Sequence, residues 1–153
     1  LDYSALKQID DALKRHRVPA DRLTIEVTEE DLLGLPPDGL SVLRALRARG
    51  SHVAIDDFGT GYAGLDSFRR LPADIVKIDQ SFIAAITHSE SDRALVASLI
   101  DLIHRFGKVV VAEGVETAAQ LQVLRTLGCD RVQGFLISRP VAVEEFPPEQ
   151  RLP

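Results

Sequence analysis

The sequence predicts an α/β fold, a partial TIM-like (β/α)8 barrel with about five of the eight βα units present. Three observations predict it. Short β-branched runs alternate with helical patterns along the whole chain. The runs are apolar almost throughout, as in strands covered on both faces. Each run meets polar residues, mostly acids, where a purely structural strand would simply stop.

The runs are residues 23–27, 53–58, 75–79, 109–113 and 132–137, and each is read as a strand. Helical spacing lies around them. Leu6, Ile9 and Leu13 share one face, and so do Leu40, Leu43 and Leu46, which stop before Gly50. Pro36 and Pro37 stand where that second helix begins, a position that tolerates proline. Leu95, Leu99, Leu102 and Phe106 lead to Gly107, and Leu121 and Leu124 lead to Gly128. Helix-strand alternation implies a parallel sheet with right-handed crossovers. Such a sheet either stays open and doubly wound or forms part of a barrel. No Gly-x-Gly-x-x-Gly turn follows any strand, which weakens the dinucleotide-binding form of the open sheet.

The chain has 153 residues, enough for one domain, and its 45% hydrophobic content supports a buried core. A net charge of -5 argues against general affinity for DNA or an anionic membrane. One nucleotide ligand stays possible, because a metal ion inverts local charge. The single Cys129 has no disulfide partner within the chain, and no apolar run approaches the ~18 residues of a membrane span. The expectation is a soluble, cytoplasmic segment without membrane contact. The chain begins at Leu1 and contains no Met, so it is expected to be a piece of a longer protein. His16, His52, His88 and His104 show no metal spacing and read as surface or packing residues, and Cys129 reads as a small packing residue.

The acids carry the chemistry. Glu26 and Glu29 close the first strand, and Asp56 and Asp57 the second. Lys77 and Asp79, two apart in the third, are expected on one face. Glu113 ends the fourth, with Glu116 just beyond, and Gln133 opens the fifth. In a parallel barrel all strand C-termini lie on the rim that holds the active site. Carboxylates crowded there repel one another unless a cation sits among them. Oxygen-only donors point to Mg²⁺ or Mn²⁺ rather than zinc. Asp56 and Asp57 are placed to hold one metal each or to bridge two, an arrangement suited to phosphodiester hydrolysis. Lys77 would orient or polarise the attacking water, and Glu113 could take its proton. Any one of these residues alone has an ordinary explanation: a solvated glutamate, a loop-capping Asp-Asp turn, a surface lysine. Recurrence at successive strand ends favours the functional reading.

The chain resembles the EAL-domain family of cyclic di-GMP phosphodiesterases. The matching stretches are Leu-Thr-Ile-Glu-Val-Thr-Glu at 23–29, Ala-Ile-Asp-Asp-Phe-Gly-Thr-Gly-Tyr at 54–62, Val-Lys-Ile-Asp-Gln-Ser-Phe at 76–82, Val-Val-Ala-Glu-Gly-Val-Glu-Thr at 110–117, and Gly-Cys-Asp-Arg-Val-Gln-Gly-Phe at 128–135, followed by Ser-Arg-Pro at 138–140. The resemblance implies a modified TIM barrel that hydrolyses cyclic di-GMP to linear pGpG with Mg²⁺ or Mn²⁺. It implies that Glu26, Asp56, Asp57 and Glu113 bind metal. Lys77 would hold the catalytic water, with Glu113 as ligand or general base. Gln133 would line the site, Glu29 would anchor the Asp-Phe-Gly-Thr-Gly loop, and Glu116 would support the site. Asp79 belongs to the Lys-Ile-Asp motif.

The departures carry further expectations. The family loop continues Gly-Tyr-Ser-Ser-Leu, whereas Gly-Tyr-Ala-Gly-Leu stands at 61–65, which bears on loop ordering and its coupling to dimerisation. Glu30 replaces a frequent Ser. The Glu-Ala-Leu motif and a metal-binding Asn belong to earlier strands and have no counterpart here, so residues 1–153 are read as the C-terminal part of an EAL domain. A barrel of this type needs ~250 residues. A sensory or cyclase domain is expected upstream in the parent. The fragment itself is expected to be inactive and homo-oligomeric. The alternative is a non-catalytic cyclic di-GMP receptor or protein-interaction module; the retained acids favour the enzyme.

Overall fold

The computed structural model describes residues 3–60 and 65–145. Five strands form one parallel sheet in the order β1-β2-β3-β4-β5: β1 (Thr24–Thr28), β2 (His52–Phe58), β3 (Ile75–Ile78), β4 (Val109–Ala112) and β5 (Arg131–Val132). Sequential order without any reversal is the order of barrel strands; an open doubly wound sheet reverses at a switch point. The helices are α1 (Tyr3–His16), α2 (Glu29–Gly34), α3 (Pro37–Ala48), α4 (Leu65–Arg70), α5 (Gln80–Ile83), α6 (Glu90–Arg105) and α7 (Ala118–Thr126). Among the described residues no helix is long and apolar enough to cross a membrane.

The two faces of the sheet differ. Val53, Ile55, Val76, Ile78, Val110 and Ala112 are fully buried under the helices. From α3 come Val42, Leu43 and Leu46, and from α6 come Val96, Ile100 and Ile103. Phe68 stacks between Phe58 and Phe106, with ring centroids 4.8 and 5.4 Å away. The other face carries Thr24, Glu26, Ala54, Lys77, Val111 and Gln133 around a cavity of about 240 Å³. That is the face a closed barrel would turn inward.

Four expectations need correction. The fifth strand is two residues long, Arg131–Val132, not 132–137. Beyond it the backbone turns back: Gly134 accepts from Ile137 N and Ser138 N, and Leu136 N reaches Val115 O. Gln133 therefore follows β5 instead of opening it, which sets it at the C-terminal rim with the acids. Asp79 does not share a strand face with Lys77, because β3 ends at Ile78 and Asp79 caps α5. In α6 the buried stripe is Val96, Ile100 and Ile103, one position on from the expected Leu95, Leu99 and Leu102, and Leu95 is exposed.

Candidate active site

The site begins with an irregularity in β2. Ile55 pairs with Val76 and Phe58 with Ile78, so three residue steps on β2 face two on β3. One extra residue is inserted, a β-bulge. Asp57 takes it up with φ 53, a left-handed conformation that aspartate tolerates better than most residues. A regular strand would send Asp56 and Asp57 to opposite faces. Here one carboxylate oxygen from each of Asp56, Asp57 and Glu113 lies within 4.8 Å of the others.

Lys77 stands at the centre of the rim. Its ammonium lies 2.9 Å from Glu26 Oε2, 2.8 Å from Asp56 Oδ1 and 2.8 Å from Glu113 Oε1. The lysine side chain is only 6% exposed, against 49% for Glu26. Burial works against its charge, but the bonds to Asp56, Glu113 and Glu26 outweigh it and hold the pKa well above the ordinary lysine range. Glu113 is shifted up as well. Burial is the largest cause, repulsion from Asp56 and Asp57 adds to it, and Lys77 only partly offsets both. Three carboxylates thus bind one ammonium, a fourth, that of Asp57, lies beside two of them, and the cluster remains short of positive charge.

The remaining residues frame this cluster. Glu29 opens α2, which Thr28 caps by accepting from Asp31 N. Its buried carboxylate accepts from Gly59 N at 2.9 Å, tying the end of β1 to the turn after β2. Asp79 accepts from Ser81 N at 2.9 Å. Burial would raise its pKa, but the bonds from Ser81 and Gln80 lower it. A cavity of about 260 Å³ takes in Asp57, Asp79, Glu113, Glu116 and Gln133. Residues 61–64, where the loop departs from the resembled pattern, lie outside the described residues.

All nine candidate residues are thus found on or beside one rim: Asp56, Asp57 and Glu113 within reach of one another, Lys77 bound to Glu26, Asp56 and Glu113, and Glu29, Asp79, Glu116 and Gln133 around them. Four wall residues of the second cavity were not foreseen: Gln80, Gly114, Gly134 and Phe135. Gly134 packs so closely that a Cβ there would collide with the Val115 backbone. Its signal was available in the Gln-Gly-Phe triplet after a strand end. Among the histidines, His104 pairs with Asp130 at 2.8 Å on the surface. Burial pushes the Cys129 thiol up, which leaves it protonated and unreactive.

A parallel α/β sheet with oxygen donors gathered at its C-terminal rim defines a TIM-barrel-like protein with a candidate site for hard cations. The EAL domain model matches residues 1–140, and the chain belongs to the EAL domain family. It is 42% identical over 138 residues to the bifunctional diguanylate cyclase/cyclic di-GMP phosphodiesterase MucR of Pseudomonas aeruginosa, a match covering 90% of this chain and 20% of MucR. The cyclic di-GMP complex of the PaMucR phosphodiesterase superimposes with TM-score 0.84 at 41% identity, over 92% of this chain and 57% of that one. A manganese and cyclic di-GMP complex of Klebsiella pneumoniae BlrP1 does so with TM-score 0.82 at 39% identity, over 90% and 35%. The chain therefore spans about a fifth of the curated relative's length.

Proposed function

We propose that this chain supplies the larger part of the active site of a metal-dependent phosphodiesterase domain that hydrolyses cyclic di-GMP to linear pGpG. The observation that carries the proposal is the convergence of Asp56, Asp57 and Glu113 beside the buried ammonium of Lys77. The residues fit Mg²⁺ or Mn²⁺: the donors are all oxygen, they are close enough to share an ion, and Glu113 is held up in pKa first by burial and then by repulsion from Asp56 and Asp57, which a cation would relieve. Asp56, Asp57 and Glu113 would hold the metal, with Glu26 completing the set from β1. Bound there, divalent cations would polarise the phosphodiester and acidify a water.

The side chains divide the remaining work. Lys77 stays an ammonium throughout the physiological range, so it donates and never acts as base. It would orient the attacking water and screen charge on the phosphoryl oxygens. Glu113 would serve as metal ligand or as the general base that takes the proton from that water. Asp57, Asp79 and Gln133 would line the space where the substrate lies. Glu29 would hold the turn at Gly59, and Glu116 would support the wall opposite.

In this reading the chain is the C-terminal part of the domain and works with βα units supplied from elsewhere in the parent. The test is hydrolysis of cyclic di-GMP by the parent protein with Mg²⁺ or Mn²⁺. Glu113→Ala is expected to lower turnover by about 10²–10⁴-fold, the usual cost of a lost general base. Unchanged turnover would overturn the assignment. Tight binding without any turnover by the unmodified parent would make the domain a receptor instead.

A further inference from the structure

The opposite end of the sheet carries a second concave site of contrary charge. A cleft of about 590 Å³ opens at the N-terminal rim, where β2, β3, β4 and β5 begin. Arg44, Arg47, Arg69, Arg70, Lys108 and Arg131 line it, in a chain whose net charge is -5. Asp74 is the one acid among the lining residues. It is already engaged: Arg47 binds it with two nitrogens, and its second oxygen accepts from Val53 N at 3.1 Å.

Part of this charge has a structural use. The helices run antiparallel to the strands, so α3, α4 and α6 end at this rim, and basic residues suit helix C-termini. Three helix ends offset about half a charge each, and Asp74 offsets one more. Arg69 and Arg70 have interactions of their own, and the other four cations, Arg44, Arg47, Lys108 and Arg131, still exceed that offset by roughly one to two charges. Arg44 makes no ion pair or hydrogen bond, and Arg131 makes no ion pair, among the described residues. Lys108 is 9% exposed and its ammonium donates to Ala73 O at 2.6 Å and Leu71 O at 3.2 Å, with no carboxylate bonded to it. Burial first, and then the charge of Arg47, lower its pKa; Asp74 only partly opposes them.

We propose that this cleft binds a small anion carrying several phosphates, gripped by Arg44 and Arg131 at its mouth and by Arg47 and Lys108 at its floor. Guanidinium forks match phosphate oxygens pairwise, and the volume suits one small ligand. Leu71, Pro72 and Phe106 add an apolar wall. The site lies at the other end of the strands from the acidic rim; Arg131 also borders the inner-face cavity that Glu26 and Lys77 line, so of the two residues at the mouth Arg44 is the one that belongs to this cleft alone.

The test is titration calorimetry on the chain in EDTA, which keeps divalent cations from bridging anions to the acidic rim. Inorganic tripolyphosphate is the first probe, GTP the second and poly-glutamate the third. Tripolyphosphate should bind, weaken with added salt, and lose about tenfold or more in affinity in R44A/R131A. Both side chains are exposed, so the fold should survive; R44Q alone is the milder variant. Arg15→Ala on α1 should change nothing. GTP binding no tighter than tripolyphosphate would mean that only phosphates are read, and tighter binding that the apolar wall takes the base. The proposal fails if neither phosphate binds at millimolar concentration, if R44A/R131A and R44Q bind as well as the unmodified chain, or if only poly-glutamate binds, which would make the surface a protein-docking patch.

Discussion

Lys77 Nζ and Glu113 Oε1 lie 2.8 Å apart, yet Glu113 keeps a raised pKa. Burial and the neighbouring Asp56 and Asp57 outweigh the ammonium. The consequence for stability has a definite sign. A carboxyl whose folded pKa is raised contributes stability that is full below its unfolded value and lost as pH rises through the folded one. Without divalent cations, Glu113→Gln should therefore raise the melting temperature at neutral pH. The gain should shrink as pH falls and vanish below about 4.5, the ordinary glutamate value. Melting curves in EDTA across that range check it; a variant less stable at pH 7 would show that Lys77 holds Glu113 more firmly than the acids repel it.

A cation added to this cluster should do what Lys77 alone does not. Millimolar Mn²⁺ should raise the melting temperature of the unmodified chain, by linkage of binding to folding. Asp56→Asn and Glu113→Gln should each abolish most of that rise, while Asp101→Asn, an exposed residue of α6 paired with Arg105, should leave it intact. An equal rise in all four proteins would mean that the metal binds elsewhere.

What could be read from the sequence follows from the range of the forces involved. Strands buried on both faces must be apolar along their length, so β2, β3 and β4 stood out, and the acids at their ends stood out against them. Helices α2, α4 and α5, of six, six and four residues, are too short to display a period. The fifth strand is shorter than the sequence predicts: Val132, Phe135, Leu136 and Ile137 are apolar, but Gly134 turns the chain back against Val115. The joint reach of Asp56 and Asp57 was predicted from their identity, but the bulge that permits it depends on register against β3, a tertiary fact. Nor does any local pattern reveal the basic cleft, since its arginines come from α3, α4 and β5 and meet only in the fold.

The bulge makes a separate prediction about Asp57. Its φ of 53 costs a β-branched residue more than aspartate or asparagine. Asp57→Val should destabilise the chain by about 1–2 kcal/mol, measured by urea unfolding. Asp57→Asn should keep stability in EDTA and lose the response to Mn²⁺. If valine were tolerated as well as asparagine, the left-handed turn would not be what presents this side chain.

Gly59 couples two parts of the rim. Its N–H is held by Glu29, its φ is 100, and a Cβ would lie 2.8 Å from the Phe82 ring. Gly59→Ala combines backbone strain with that clash and should cost about 1–3 kcal/mol. Glu29→Gln keeps shape and an acceptor but removes the charge, so it should cost less than Gly59→Ala. Hydrogen exchange at Gly59 separates the two effects: faster exchange in Glu29→Ala is expected, and unchanged protection would remove the tie.

The last prediction concerns the 153-residue chain by itself. β1 and β5 each pair on one side only among the described residues, and no residue of β1 is fully buried. Parallel strands are normally covered on both faces, and unpaired edges recruit other strands. The inner face, with Glu26 half exposed and a cavity beside Lys77, likewise lacks the cover that further βα units would give. Three occupants could supply it: a second copy, the remaining strands as a separate chain, or α1 folding across the opening. α1 is placed otherwise, with Leu6 in the main core and Asp10 bound to Arg49 at the end of α3. A second copy is always present at equal concentration, so self-association is expected. The isolated chain should therefore sediment as an oligomer and show no hydrolysis of cyclic di-GMP. A stable monomer by analytical ultracentrifugation would refute self-association, and measurable hydrolysis would show that the five-strand rim suffices for catalysis.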